Sequence, residues 1–296
     1  MKPLNEFLSF QNDDIKGNRY RQTFACVDFF LHLTRTLRPE IKETPQIFIR
    51  ELHDSNEIAA ETIYGAIILN QKLIDTLIAI EPFSLEELDI KISDESLIYY
   101  GFSEMMLLWI ISHEWFHIEK QHRIAESLIT NSDDLSLAFE FDADCNASAV
   151  IYRFLQYCLE LDNEDLEIRK FCFSCVFLLL RNLPHSNRDV THPPLDRRLF
   201  NCLLKICHLS SDLTYTDKKG TRPETKFFEG HLLKLLAKCE QKFIKVPLEE
   251  LNTSPLFKAF KQSINTNSIS KDVGKWEEIR ILMYDLTGVG EQVIDE

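Results

Sequence analysis

The stretch Met105–His117 constrains the fold more than any other part of the chain. It is apolar from Met105 to Ile111, lacks Gly and Pro, and ends in His113-Glu114-Trp115-Phe116-His117. So apolar a run without a breaker predicts a buried helix. On a helix, residues four apart share a face, so His113 and His117 point the same way. Two imidazoles on one face suit a single zinc ion, each nitrogen at about 2.0–2.1 Å. Glu114 follows His113 directly and projects beside such an ion rather than at it. There a carboxylate can take a proton from a water whose pKa the metal has lowered to about 7. The pattern H-E-x-x-H thus points to a zinc hydrolase. The plainer alternative is a pair of core histidines bonded to their neighbours, and the rest of the chain has to decide.

Composition narrows the classes. With 296 residues there is room for one large domain or two small ones. A hydrophobic share of 45% and glycine at only 8 positions suit a helix-rich globular protein. The net charge of −14 argues against nucleic-acid partners, which need clustered Lys and Arg. Met1–Tyr20 has no apolar core of signal-peptide length. No apolar run approaches the roughly 20 residues that span a bilayer. The longest, Phe171–Leu180, lies between Lys170 and Arg181 and reads as a core helix. A soluble cytoplasmic protein without membrane partners is expected. The eight cysteines mostly sit in apolar stretches and are expected to be reduced and buried. Cys172 and Cys175 form a C-x-x-C, but there is no second one and the surroundings are apolar, which favours a core role.

The fold class expected is α+β and predominantly helical. A small sheet should pack on the metal-binding helix, with a helical C-terminal part beyond. Helical spacing marks Ile15–Leu37, closed by Arg38-Pro39. Gln46–Leu52 and Ile63–Asn70 are the strand candidates, and Gln71–Ile80 reads as a short helix. Pro82–Ile90 and Ser93–Gly101 read as connections. Turn residues Thr130–Asp134 precede a helix running to about Leu161. Glu164–Leu183, the segment from Leu195, Glu224–Phe243, Leu248–Ile264 and Lys275–Asp285 are further helix candidates, with Thr191 as a possible cap before Leu195. Lys218-Lys219-Gly220 marks a turn and Asn265–Ser268 a linker. Residues 1–210 are expected to form a zincin-like domain, with 211–296 packed on it as a helical extension.

A third ligand is sought on the helix after the turn. Glu140 lies 23 residues beyond His117. With the turn midway, each arm has about eleven residues, or roughly 16 Å of helix. An antiparallel return of that length brings Glu140 level with the histidines. Asp144 follows one turn on, on the same face. Glu140, Asp142 and Asp144 could instead form a solvated acidic face. Against that, Phe139, Phe141 and Ala143 interleave with them, and carboxylates carried into an apolar helix call for a cation.

These stretches resemble the gluzincin metallopeptidases of the CAAX-prenyl-protease and HtpX type. Those families share H-E-x-x-H with a further His five residues on, here His113, Glu114, His117 and His122. They share E-x-x-x-D on the next helix, matched by Glu140 and Asp144, and a later T-H-P followed by Arg, matched by Thr191, His192, Pro193 and Arg198. Gly65–Asn70 is similar to the strand that lines their cleft. The resemblance covers roughly residues 58–200, in family order. The chain departs from it at Phe116, where the family has Gly, and at the bulky Trp115, so packing around the site must differ. The membrane-spanning helices of those families are missing. The phage-exclusion Lit peptidases are similar in size and also bear H-E-x-x-H.

The resemblance implies that His113, His117 and Glu140 hold Zn2+, leaving a fourth position for water. Glu114 would be the general base. Asp144 would accept the free N–H of a ligand His or pair with Arg198. His192 would stabilise the oxyanion or serve as a fourth ligand, unless it merely caps the next helix. His122 is read as structural, at the helix end. A protein or peptide substrate would add as a strand along Tyr64–Leu69. The function expected is a soluble zinc endopeptidase acting on a cytosolic protein. The alternative is a non-catalytic zincin-like regulator, such as a phage-defence or toxin–antitoxin component acting through protein binding.

Overall fold

The computed structural model describes residues 1–12, 14–37, 45–54, 57–92, 101–120, 122, 132–159, 165–184, 193–211, 223–265, 273–274 and 279. Segments 93–100 and 185–192, the turn residues Thr130 and Asn131, Lys218–Gly220, residues 266–268 and most of Lys275–Asp285 lie outside that set. The architecture is α+β and mostly helical, as expected.

Four strands, β1 (Lys2–Pro3), β2 (Gln46–Arg50), β3 (Ala60–Ile63) and β4 (Ala66–Asn70), make one sheet in the order β1-β2-β4-β3. β2 and β4 run parallel, while the two outer pairings are antiparallel. The sequence reading of Ile63–Asn70 as one strand is corrected here. Ile63 ends β3 and pairs with Ala66, leaving Tyr64 and Gly65 as a two-residue turn with φ of 50° and 78°. Two positive φ values give a turn whose twist matches that of the flanking strands. Tyr favours strands by composition and so hides the turn, which Gly65 alone betrays.

A Cβ added at Gly65 would meet nothing within 4 Å, so substitution there tests the backbone by itself. Gly65→Val is expected to cost about 1–2 kcal/mol in urea unfolding, and Gly65→Asn less, because Asn tolerates the left-handed region.

The topology bears on where a strand could be added to the sheet. β4 is hydrogen-bonded to β2 on one side and β3 on the other, so Ala66–Leu69 has no edge to offer an added strand. Tyr64 stands fully exposed in the turn. The edge strand that packs on the histidine-bearing helix is β3.

The helices are α1 (Leu4–Ser9), α2 (Ile15–Leu37), α3 (Gln71–Ala79), α4 (Leu85–Leu88), α5 (Phe102–Glu119), α6 (Ser132–Leu159), α7 (Asp165–Asn182), α8 (Leu195–His208), α9 (Pro223–Ile244) and α10 (Pro255–Asn265). Two expectations change. The Pro82–Ile90 connection contains α4, whose first turn is capped by the Ser84 side chain. The expected helix Leu248–Ile264 divides into a 3₁₀ turn, Leu248–Thr253, and α10. Pro255 pushes Ser254 out of the helical region (ψ 143°), and Ser254 Oγ then accepts from the Phe257 N–H at 3.1 Å to start α10.

α5 is the centre of the molecule, packed against α2, α6, α7 and β3. From Ser103 to Phe116 every residue is buried except Glu114. That is the behaviour of a helix apolar on all sides, enclosed by its neighbours. α9 adds Leu232, Leu235, Leu236 and Cys239 to the same core and packs on α7 and α8, which α10 extends. All eight cysteines are free thiols, and Cys172 and Cys175 are wholly buried. Burial pushes both thiols up and leaves them poor nucleophiles. Among the described residues no helix is long and apolar enough to cross a membrane.

Candidate metal centre

α6 returns antiparallel to α5, since Glu140 meets His117 and Asp144 meets His113. One helical turn on α5 therefore faces one on α6. His113 Nε2 and His117 Nε2 are 3.2 Å apart. Glu140 straddles them, with Oε2 3.4 Å from His113 Nε2 and Oε1 3.4 Å from His117 Nε2. Nitrogen and oxygen ligands at about 2.0–2.1 Å from a tetrahedral ion stand roughly 3.3–3.4 Å from one another. The trio has nearly that spacing, and it could hold a metal ion. His113 and Glu140 are buried and His117 is partly so. Two imidazoles and a carboxylate are a donor set that several divalent transition metals accept, zinc among them, and three donors leave one position of a tetrahedral ion to another ligand.

The electrostatics ask for a cation. Glu140, Asp142 and Asp144 are all buried, and Arg198 is the cation facing Asp144. Burial opposes charge on His113, but Glu140 and Asp144 outweigh it and push its pKa up to about 10. His117 is held well below the usual imidazole value, first by burial and then by the neighbouring His113. The surrounding carboxylates thus favour positive charge at this cluster.

Each histidine is oriented from behind. His113 Nδ1 lies 3.1 Å from Asp144 Oδ1. Arg198 donates to Asp144 from Nε to Oδ2 and from Nη2 to Oδ1, both at 2.8 Å. Burial would raise the Asp144 pKa, yet the Arg198 guanidinium and His113 hold this carboxyl well below the usual range. An ionised Asp144 keeps the His113 proton on Nδ1 and leaves Nε2 free to ligate. Trp109, one turn before His113, stacks on its ring at 5.2 Å and 21°, and donates from Nε1 to Ser148 Oγ at 3.0 Å. Ser148 Oγ in turn donates to the Asp144 carbonyl at 2.8 Å.

His117 is backed by His122, Nδ1 to Nδ1, at 3.0 Å. Sequence reasoning left His122 structural and assigned Trp109 nothing. The signal for Trp109 was present, since it precedes His113 by four residues, whereas His122 lies five residues beyond His117 and past the end of α5, a separation that helical spacing does not pair. Trp115 turns away to meet Phe30 of α2 edge-on at 5.7 Å, so its bulk fills the α2 interface. Glu114 is the partly exposed position on an otherwise buried stretch of α5. His192 and Thr191 lie outside the described residues. α8 starts at Leu195, with Pro194 in the N-cap position and no side-chain cap hydrogen bond.

These elements define a predominantly helical protein with a buried His–His–Glu centre able to hold a metal ion. A family model described as Peptidase U49 matches residues 94–215, a stretch that begins before α5 and ends beyond α8. The match covers less than half of the chain but spans every candidate site residue, and it supports a peptidase. The matched family is that of the Lit-type peptidases, and the match does not bear on the resemblance to the CAAX-prenyl-protease and HtpX families. No curated protein and no solved structure matched the chain.

Proposed function

We propose that this protein is a zinc-dependent endopeptidase that cleaves a cytosolic protein, with Glu114 as general base. The observation that carries the proposal is the near-tetrahedral spacing of the His113, His117 and Glu140 donors, beside the partly exposed Glu114. His113, His117 and Glu140 would hold the ion. When bound, zinc acts as a Lewis acid, lowering the pKa of water and polarising a carbonyl oxygen. Glu114 accepts the proton as the water oxygen bonds to the scissile carbonyl carbon, and gives it to the nitrogen when the C–N bond breaks. Asp144 and Arg198 keep His113 in one tautomer throughout. An extended substrate would add along the edge strand β3, which lies against α5, with main-chain hydrogen bonds that tolerate many sequences.

Metal analysis tests the reading. Protein purified without chelator is expected to hold about one zinc per chain, as a single three-ligand site requires. Chelation should lower its melting temperature, and added zinc should restore it, because a ligand that binds only the folded state stabilises it. Protein that carries no zinc and takes none up at micromolar concentration would end the proposal.

A further inference from the structure

His117 directs Nε2 toward His113 and Glu140, and its other ring nitrogen has a histidine partner. It faces Nδ1 of His122 at 3.0 Å. His122 is 1% exposed and lies flat on Phe139, with ring centroids 4.4 Å apart and planes 10° from parallel. Its far nitrogen, Nε2, stands 3.5 Å from Asp142 Oδ2. Asp142 is itself pinned, because Asn146 Nδ2 donates to its Oδ1 at 2.8 Å and to its carbonyl at 2.9 Å.

Proton positions along this chain of groups follow from valence. A His117 that gives the Nε2 lone pair to a cation carries its proton on Nδ1, and must donate there. His122 can accept at Nδ1 only as the tautomer with its proton on Nε2, and that proton faces the Asp142 carboxylate. The aromatic stack on Phe139 fixes the ring plane, and Asn146 fixes the acid. Each of the two histidines is thus backed by an acid of α6, His113 by Asp144 with Arg198 of α8 behind it, and His117 by Asp142 with Asn146 acting through His122.

We propose that His122, stacked on Phe139 and facing Asp142, is a positioning residue that sets the tautomer and orientation of His117 as a metal ligand. The proposal rests on the reading that His113, His117 and Glu140 hold zinc. Loss of outer contacts to a ligand histidine typically weakens metal binding by about 10–100-fold.

The test is zinc affinity, measured by competition with a chromophoric chelator, in wild type and three variants. His122→Phe keeps the stack on Phe139 and removes the acceptor; zinc binding is expected to weaken by about 10–100-fold. His122→Asn places an amide oxygen close to where Nδ1 sits and should recover most of that loss. Asp142→Asn keeps shape but removes the charge facing Nε2, and should weaken binding by a smaller factor; it also decides the matter if His122→Phe does not fold. Wild-type zinc affinity in His122→Phe, no recovery in His122→Asn, or unchanged affinity in Asp142→Asn would each overturn the positioning role. Wild-type protein that binds no zinc at all overturns the underlying reading instead, so the two failures are distinguishable.

Discussion

Glu114→Gln is expected to abolish cleavage while leaving the metal in place. Gln keeps the shape of the side chain but cannot take a proton from water, and a positioned general base contributes about 10²–10⁴ in rate. Glu114 is not one of the three clustered donors, so zinc content should stay at the wild-type level. Glu114 is only partly buried, so the isosteric change leaves the core packing alone. The informative measurement compares new protein N-termini in cells expressing wild type and Glu114→Gln. Termini that appear with wild type and vanish with the variant identify the substrate and the cleaved bond together. Identical termini at equal abundance in both would remove Glu114 from the mechanism. A biological effect that survives in Glu114→Gln, and also in folded His113→Ala, would favour the non-catalytic regulator.

Much of this centre was legible in the sequence because helices convert spacing into direction. His113 and His117 had to share a face, and a return of plausible length had to bring an acid level with them. Glu140 lies where that length argument puts it, straddling the two imidazoles. Asp144, one turn on, meets both partners open to it, His113 and Arg198, because α6 is antiparallel to α5 and α8 packs on α6.

Other features depend on contacts that spacing does not encode. Nothing local says that His122 will find the back of His117, since that depends on where the chain turns after α5 and on Phe139 arriving to stack beneath it. Asp142 reads as one of three interleaved acids, and only the packed structure gives it a separate task from Glu140 and Asp144. The sheet was the weaker reading for a different reason. Ile63–Asn70 is uniformly β-prone, so composition joins β3's end to β4, whereas the two positive φ values at Tyr64-Gly65 make it a hairpin. That one turn makes β3 the edge of the sheet, and it is along this edge that the proposed substrate strand would add.

Arg198→Met should produce the largest loss of stability of any single change at the centre. Asp144 is 1% exposed and Arg198 7%, and the guanidinium supplies both of its 2.8 Å bonds in a fork geometry. Removing one partner of such a buried pair leaves a charge in a low-dielectric site and typically costs about 3–5 kcal/mol. Arg198→Lys restores charge but cannot reproduce two bonds from one planar group, so it should recover part of the stability and less of the zinc affinity. The pH dependence separates this mechanism from simple loss of packing. In wild type the Asp144 pKa is depressed, so its stabilising contribution is present above the unfolded value of about 3.9 and is lost as pH falls toward the folded one. In Arg198→Met, burial acts on Asp144 without the guanidinium to oppose it, so the deficit against wild type should be greatest near neutral pH and shrink on acidification. Urea unfolding of both proteins between pH 7 and about pH 4.5 reads this directly. A deficit that is constant over that range would mean that Arg198 matters through packing on Trp109 rather than through its charge.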